Sequence, residues 1–260
     1  MLVGCCALVW FLPQTAGSQQ SGNVEILNKA RQSYYSLKSE GMAQFQCNIS
    51  PNWEALLAET KKTNPAAFDK AVGKLKQLSF SVTVAANGSI KVLHSEIPAE
   101  NEQTSKGLSQ IYSGMEQMIS GFFQTWSTFV LTPSLPKPDI DFKLEDAGRE
   151  YRLSYKEDST DVLITMGKDF AISMVKVAAK DFDSTLWPRF TKTANGFLLT
   201  GYQAEYEGKG GTDKTELQVT FDYQVADGLQ VPRKLNLKGV YNQSPFQVEV
   251  TFVGCHATRR

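Results

Sequence analysis

The sequence predicts an α+β protein: a curved antiparallel sheet forming an incomplete barrel, covered by a long amphipathic helix and an N-terminal helix. Three patterns lead to that class. Eight short runs in the second half of the chain each keep their apolar residues on one parity. A long helical stripe precedes them, and a shorter helical pattern opens the chain.

The alternating runs are Ile140, Phe142, Leu144; Tyr151, Leu153, Tyr155; Val162, Ile164, Met166; Phe170, Ile172, Met174; Leu198, Tyr202, Tyr206; Leu217, Val219, Phe221, Tyr223; Leu235, Leu237, Tyr241; and Phe246, Val248, Val250, Phe252. Lys, Glu, Gln, Asp, Ser and Thr fill most of the positions between, so each run reads as a strand with one wet and one dry face. A large one-sided sheet needs a cover. The long stripe supplies it: residues 104–130 put Leu108, Ile111, Tyr112, Met115, Met118, Ile119, Phe122, Phe123, Trp126 and Phe129 on one helix face. At 1.5 Å per residue such a helix is roughly 40 Å long, enough to cross many strands spaced ~4.8 Å apart.

Ahead of this helix, the pattern predicts a helix over residues 23–38 with Leu27, Ala30, Tyr34 and Leu37 on one stripe, ended by Gly41. A strand through Ala43, Phe45, Cys47 and Ile49 follows, then helices over 53–61 and 66–78. Asn87-Gly88 between two alternating runs marks a hairpin. The Thr132-Pro133-Ser134-Leu135-Pro136-Lys137-Pro138 connector is extended and stiff. It is not a domain boundary, because the helix before it and the sheet after it each have an apolar face that needs the other; residues 19–260 therefore read as a single domain. Residues 180–193 break the alternation around Trp187-Pro188-Arg189-Phe190 and read as a mobile rim loop.

The composition, 42% hydrophobic and 21% charged, is that of a globular domain. Lys plus Arg and Asp plus Glu number 27 each, so no net field draws the chain to nucleic acid, which is not an expected partner. Residues 1–18 read as a secretory signal, with an uncharged apolar stretch and with Ala16 and Ser18 at the −3 and −1 positions for cleavage. The first basic residue is Lys29, so the expectation includes a true start upstream of Met1. The apolar stretch is well short of the ~20 residues that span a bilayer. Export to the periplasm is the expected destination. Leu2-Val3-Gly4-Cys5 also matches a bacterial lipobox, which gives a lipid-anchored alternative. Cleavage leaves Cys47 and Cys255, whose natural reading in an oxidising compartment is one disulfide between the first and last strands. Cys255 lies on the wrong parity to meet Cys47, and a bulge at Gly254 is the device that would re-aim it.

Catalytic chemistry has little to work with. His94 and His256 have no Cys or His neighbour at ligand spacing and read as solvated histidines, so neither a metal nor another cofactor is expected. There is no Gly-x-Ser-x-Gly elbow, and no enzymatic activity is expected. Lys209-Gly210-Gly211-Thr212-Asp213-Lys214-Thr215 looks like a phosphate loop, but it joins two strands where such a loop joins strand to helix, and it reads as a hairpin tip. The Met and aromatic stripe has two readings. Met115, Met118, Ile119, Phe122, Phe123 and Trp126, facing Leu217, Val219, Phe221 and Tyr223, are either core alone or core that doubles as a soft wall for an acyl chain.

The segment from Phe221-Asp222-Tyr223 through Asp227-Gly228 to Pro232-Arg233-Lys234-Leu235 combines a strand, a glycine turn, a proline before basic residues, and a second strand. Pro232 reads as the start of that second strand, where its missing N–H does no harm. This hairpin, with the leading helix and the one-sided sheet, resembles the bacterial outer-membrane lipoprotein carrier and sorting superfamily. The resemblance implies a half-open barrel with a helical lid that binds a lipid or an acylated lipoprotein, working as a monomer between membrane-protein donors and acceptors. The helix-rich stretch over residues 53–130 is larger than a minimal carrier needs. The alternative is a periplasmic sensor or scaffold that binds a partner protein through the barrel rim without catalysis.

Overall fold

The computed structural model describes residues 16–211 and 213–260, with side chains from residue 21 onward. The expected lipobox, and residues 1–15 of the expected signal, lie outside the described residues. In chain order the elements are α1 (Ala16–Gln32), β1 (Met42–Pro51), α2 (Trp53–Leu56), α3 (Ala58–Thr63), α4 (Pro65–Leu75), β2 (Phe80–Ala85), β3 (Ile90–His94), α5 (Glu102–Val130) and β4 (Phe142–Asp146). There follow β5 (Glu150–Glu157), β6 (Thr160–Gly167), β7 (Ile172–Ala178), β8 (Phe182–Thr193), β9 (Gly196–Gly208), β10 (Lys214–Ala226), β11 (Leu229–Tyr241) and β12 (Ser244–Arg259).

All the strands join one 12-stranded antiparallel sheet in the order β3-β2-β1-β12-β11-β10-β9-β8-β7-β6-β5-β4. The sheet is curved and open, with β3 and β4 as its edges. The chain enters at β1 in mid-sheet, steps outward by hairpins to the β3 edge, crosses to the β4 edge through α5 and its connector, and meanders back until β12 pairs with β1. Antiparallel hairpins need only short turns, which is why most of the sheet is built this way.

α5 begins at Asn101, whose side chain accepts from the Thr104 N–H and so satisfies one of the orphan donors of the first turn. Its apolar face crosses the sheet in sequence. Tyr112 stacks on His94 of β3 at 4.3 Å, Phe123 meets Phe45 of β1 at 5.8 Å, and Phe122 meets Phe252 of β12 at 6.1 Å and Phe221 of β10 at 5.4 Å. Phe129 reaches Phe190 of β8 at 5.9 Å. His94 is thus part of an aromatic stack, not the solvated histidine its strand-end position predicts. Leu27 and Ala30 of α1 are fully buried in the same core cluster.

α1 stops at Gln32, six residues before the expected end at Lys38. Tyr34 and Leu37 are buried as the stripe requires, but on extended chain, because the backbone there pairs with β9: Phe197 N–H donates to Ser33 O at 2.7 Å and Tyr35 N–H to Phe197 O at 3.0 Å. The approach is so close that a Cβ on Gly196 would lie 2.7 Å from Ser33 O. The Tyr34 hydroxyl donates to Phe170 O at 2.6 Å and accepts from Ile172 N–H at 2.8 Å, and Tyr35 OH accepts from Gln230 N–H at 3.1 Å. Residues 33–37 therefore hold one end of the sheet, at the β6–β7, β8–β9 and β10–β11 turns.

Three strand readings change. Most of the stretch 180–193 is the strand β8 (Phe182–Thr193), not a mobile rim loop; Pro188 pairs with Tyr202 of β9 and lies beyond Leu186, the last residue with a β7 partner, so β8 has a single neighbour there. In β7 an extra residue, Ser173, lies opposite β6, so Val175 and Val177 take the inward positions where strict alternation puts Met174. Pro232 lies inside β11, beside the register shift that separates the Tyr223–Pro232 pair from the Asp222–Lys234 pair, and does not begin the strand.

Cys47 and Cys255 form a disulfide with a Cα–Cα distance of 4.1 Å. The parity conflict is resolved by a bulge: Gln46 pairs with His256 and Asn48 with Val253, so Gly254 and Cys255 together oppose Cys47, with Gly254 at φ +58°. The bridge joins the first and last strands of the chain, which are neighbours inside the sheet.

Candidate functional site

The ten expected ligand-wall residues come together, and they do so as packed core. Ile119, Phe123, Trp126 and Val219 are fully buried, Met115, Phe122 and Phe221 nearly so, while Met118, Leu217 and Tyr223 are half-buried against the same cluster. Rings interlock between helix and sheet, with Phe122–Phe123 centroids 4.9 Å apart and Phe123–Phe252 5.3 Å apart. Trp126 Nε1 donates to Tyr223 OH at 3.1 Å, and that hydroxyl donates to Leu199 O at 2.7 Å. Both polar tips in this aromatic layer are thereby satisfied. Burial holds the Tyr223 phenol far above the ordinary tyrosine range.

Space opens farther along the same face. Where α5 ends, its last two turns and the connector diverge over β5–β9, leaving a groove of about 750 Å³. Thr125, Thr128 and Phe129 of α5 form one wall; Leu135, Pro136 and Ile140 of the connector form the opposite one. The floor is Val162, Val175, Val177 and Leu186, with Tyr155 and Tyr206 projecting into it. An adjoining groove of about 960 Å³ at the strand ends shares Ile140, Tyr155, Val162 and Val177. None of the ten expected residues lines the first groove.

Burial raises the Tyr155 phenol to about 12, helped by the negative charge of Glu157. Burial also raises Tyr206, partly offset by the Thr125 hydroxyl beside it. Both phenols are therefore neutral hydrogen-bonding groups in a mostly apolar trough. The connector is pinned by Arg31 in the last turn of α1, whose Nη1 donates to the carbonyls of Leu135 and Pro136.

The sequence signal for this groove is the inward Tyr155 of β5, Val162 of β6 and Tyr206 of β9, but the pattern does not say how far α5 reaches. Among the described residues there is no group of three or more His, Cys, Asp or Glu side chains that could hold a metal ion, and no helix is long and apolar enough to cross a membrane. Of the Lys209–Thr215 segment, Lys209, Gly210, Gly211 and Asp213 lie between β9 and β10, with Gly208 N–H donating to Asp213 O at 3.0 Å, and Lys214 and Thr215 begin β10; Thr212 lies outside the described residues. No protein-family model, curated protein or solved structure matches this chain.

Proposed function

We propose that this chain is an exported binding protein that carries or sequesters a lipid or acylated ligand in the groove over β5–β9, with α5, α1 and the connector acting as its cover. The observation that carries the reading is the groove itself: about 750 Å³ of mostly apolar space on the inner face of the sheet, within the range of sites that enclose small ligands. Aliphatic and aromatic side chains and hydroxyls make up most of its lining, with Arg31, Lys137, Glu157 and Asp158 as the charged groups. The Cys47–Cys255 bridge fits an oxidising destination. Mass spectrometry of organic extracts from the gently purified chain tests the proposal. A recurrent lipid species at near-stoichiometric yield is expected; repeated extracts free of lipid, from protein that also fails to take up added fatty acid, contradict it.

A second reading, a scaffold that binds a partner protein through the rim, draws on the exposed Val240, Tyr241 and Phe246 near the β11–β12 turn. It predicts one stoichiometric crosslinked partner, lost when Tyr241 and Phe246 are changed to Ser.

A further inference from the structure

Arg31 is the unusual group in the groove. It is half-buried, it lines the cavity, and among the described residues it makes no ion pair with any carboxylate. A guanidinium carries five N–H donors in a planar fork. Both hydrogen bonds that pin the connector, to Leu135 O and Pro136 O, come from Nη1 alone. Nη2 and Nε, the edge of the fork that matches a carboxylate in two parallel hydrogen bonds, have no acceptor among the described residues. A partly buried cation without a counter-ion is costly, and a ligand that brings one gains the charge-assisted bonds without displacing any existing partner.

The other charges at the groove sharpen the choice. Lys137 lines it too, but as an exposed cation on the connector, whereas Arg31 is half-buried; Glu157 and Asp158 line it at the β5–β6 turn and disfavour a negative group there. Phe129, Val162, Val175 and Leu186 give the same groove its apolar lining. An occupant with one anionic end and one long apolar body matches this arrangement; a neutral lipid leaves Arg31 unmatched.

Resting on the acyl-binding reading above, we infer that the ligand is a long-chain carboxylate whose head group is held by Nη2 and Nε of Arg31, with its chain along Phe129, Val162, Val175 and Leu186.

The test compares palmitate with methyl palmitate, which has the same chain but no charge, on the full chain stripped of endogenous lipid, at mildly alkaline pH. The wild-type chain should prefer the acid by about tenfold or more, the scale of a charge-assisted pair. Arg31→Met should bring the acid-to-ester affinity ratio close to one; because Arg31 also pins the connector wall, the readout is that ratio and not the strength of ester binding itself. Equal affinities in the wild-type chain, or a preference that survives Arg31→Met, overturn the assignment and leave the acyl site standing. Binding of neither probe overturns both. If Arg31→Met fails to fold, Lys137→Met decides: an acid preference of about tenfold that survives it supports the assignment, and a preference lost with Lys137, or a wild-type ratio near one, rejects it.

Discussion

Single hydroxyls do much of the work of holding this sheet in shape. Tyr34, Tyr35 and Tyr223 each connect backbone segments distant in sequence, and Tyr223 also satisfies the indole of Trp126. Tyr223→Phe leaves a buried indole N–H unpaired and removes the bond to Leu199 O, for which a loss of roughly 1–3 kcal/mol is expected in urea denaturation. An unchanged midpoint would show that the pair contributes nothing. Buried phenols also set the alkaline limit. Burial raises Tyr34, Tyr202 and Tyr223 well above the ordinary value of 10.0 and Tyr155 to about 12. The unfolded chain ionises near 10.0 while the folded chain stays neutral, so stability is intact below that pH and falls as pH rises toward about 12 and beyond. Ultraviolet titration should show these phenols ionising late and together with unfolding; a single transition at the ordinary value in folded protein would contradict it.

At the level of elements, periodicity made most of the fold legible. The α5 stripe, the β2–β3 hairpin and most of the later runs form where alternation puts them, because their inward residues are largely buried, although Ile140 precedes its strand, Tyr241 and Phe246 are exposed, and the extra Thr200 shifts the register within β9. The failures share a cause: backbone irregularity that the two-residue period does not encode. β8 was obscured by Pro188 and by a register shift at Arg189 and Phe190, β7 by the extra Ser173, and the end of α1 by a pairing with β9 that overrides helical preference. The candidate site was legible only as a face. Its location depends on where α5 ends relative to β8, a tertiary fact. The Cys47–Cys255 bridge, by contrast, was readable along with the Gly254 bulge that permits it. It closes a separation of 208 residues, so replacing both cysteines by Ala should cost several kcal/mol, up to roughly 5 by loop entropy. Denaturation midpoints of the two chains give the answer, and coincident midpoints would mean that the β1–β12 seam needs no bridge.

As a whole, the molecule is an open sheet whose inner face is filled unevenly. Interlocked rings close the half under α5, from Tyr112 on β3 to Phe129 on β8, and the half toward β4 is covered more thinly by α1 and the connector. Closure of the chain path at β1 and β12 makes the sheet one unit, while the edges β3 and β4 stay unpaired and bridged only by α5 and its connector. That unevenness is the basis of the functional reading, since a uniformly packed face would leave no room for a ligand. The most direct measurement is uptake of a fluorescent fatty acid by the lipid-stripped chain, set beside Val177→Trp, which fills the floor of both grooves at a half-buried position. Saturable uptake near one ligand per chain, reduced at least tenfold by Val177→Trp while thermal stability is kept, is the predicted result. Absence of uptake, or uptake that Val177→Trp leaves unchanged, would contradict the account.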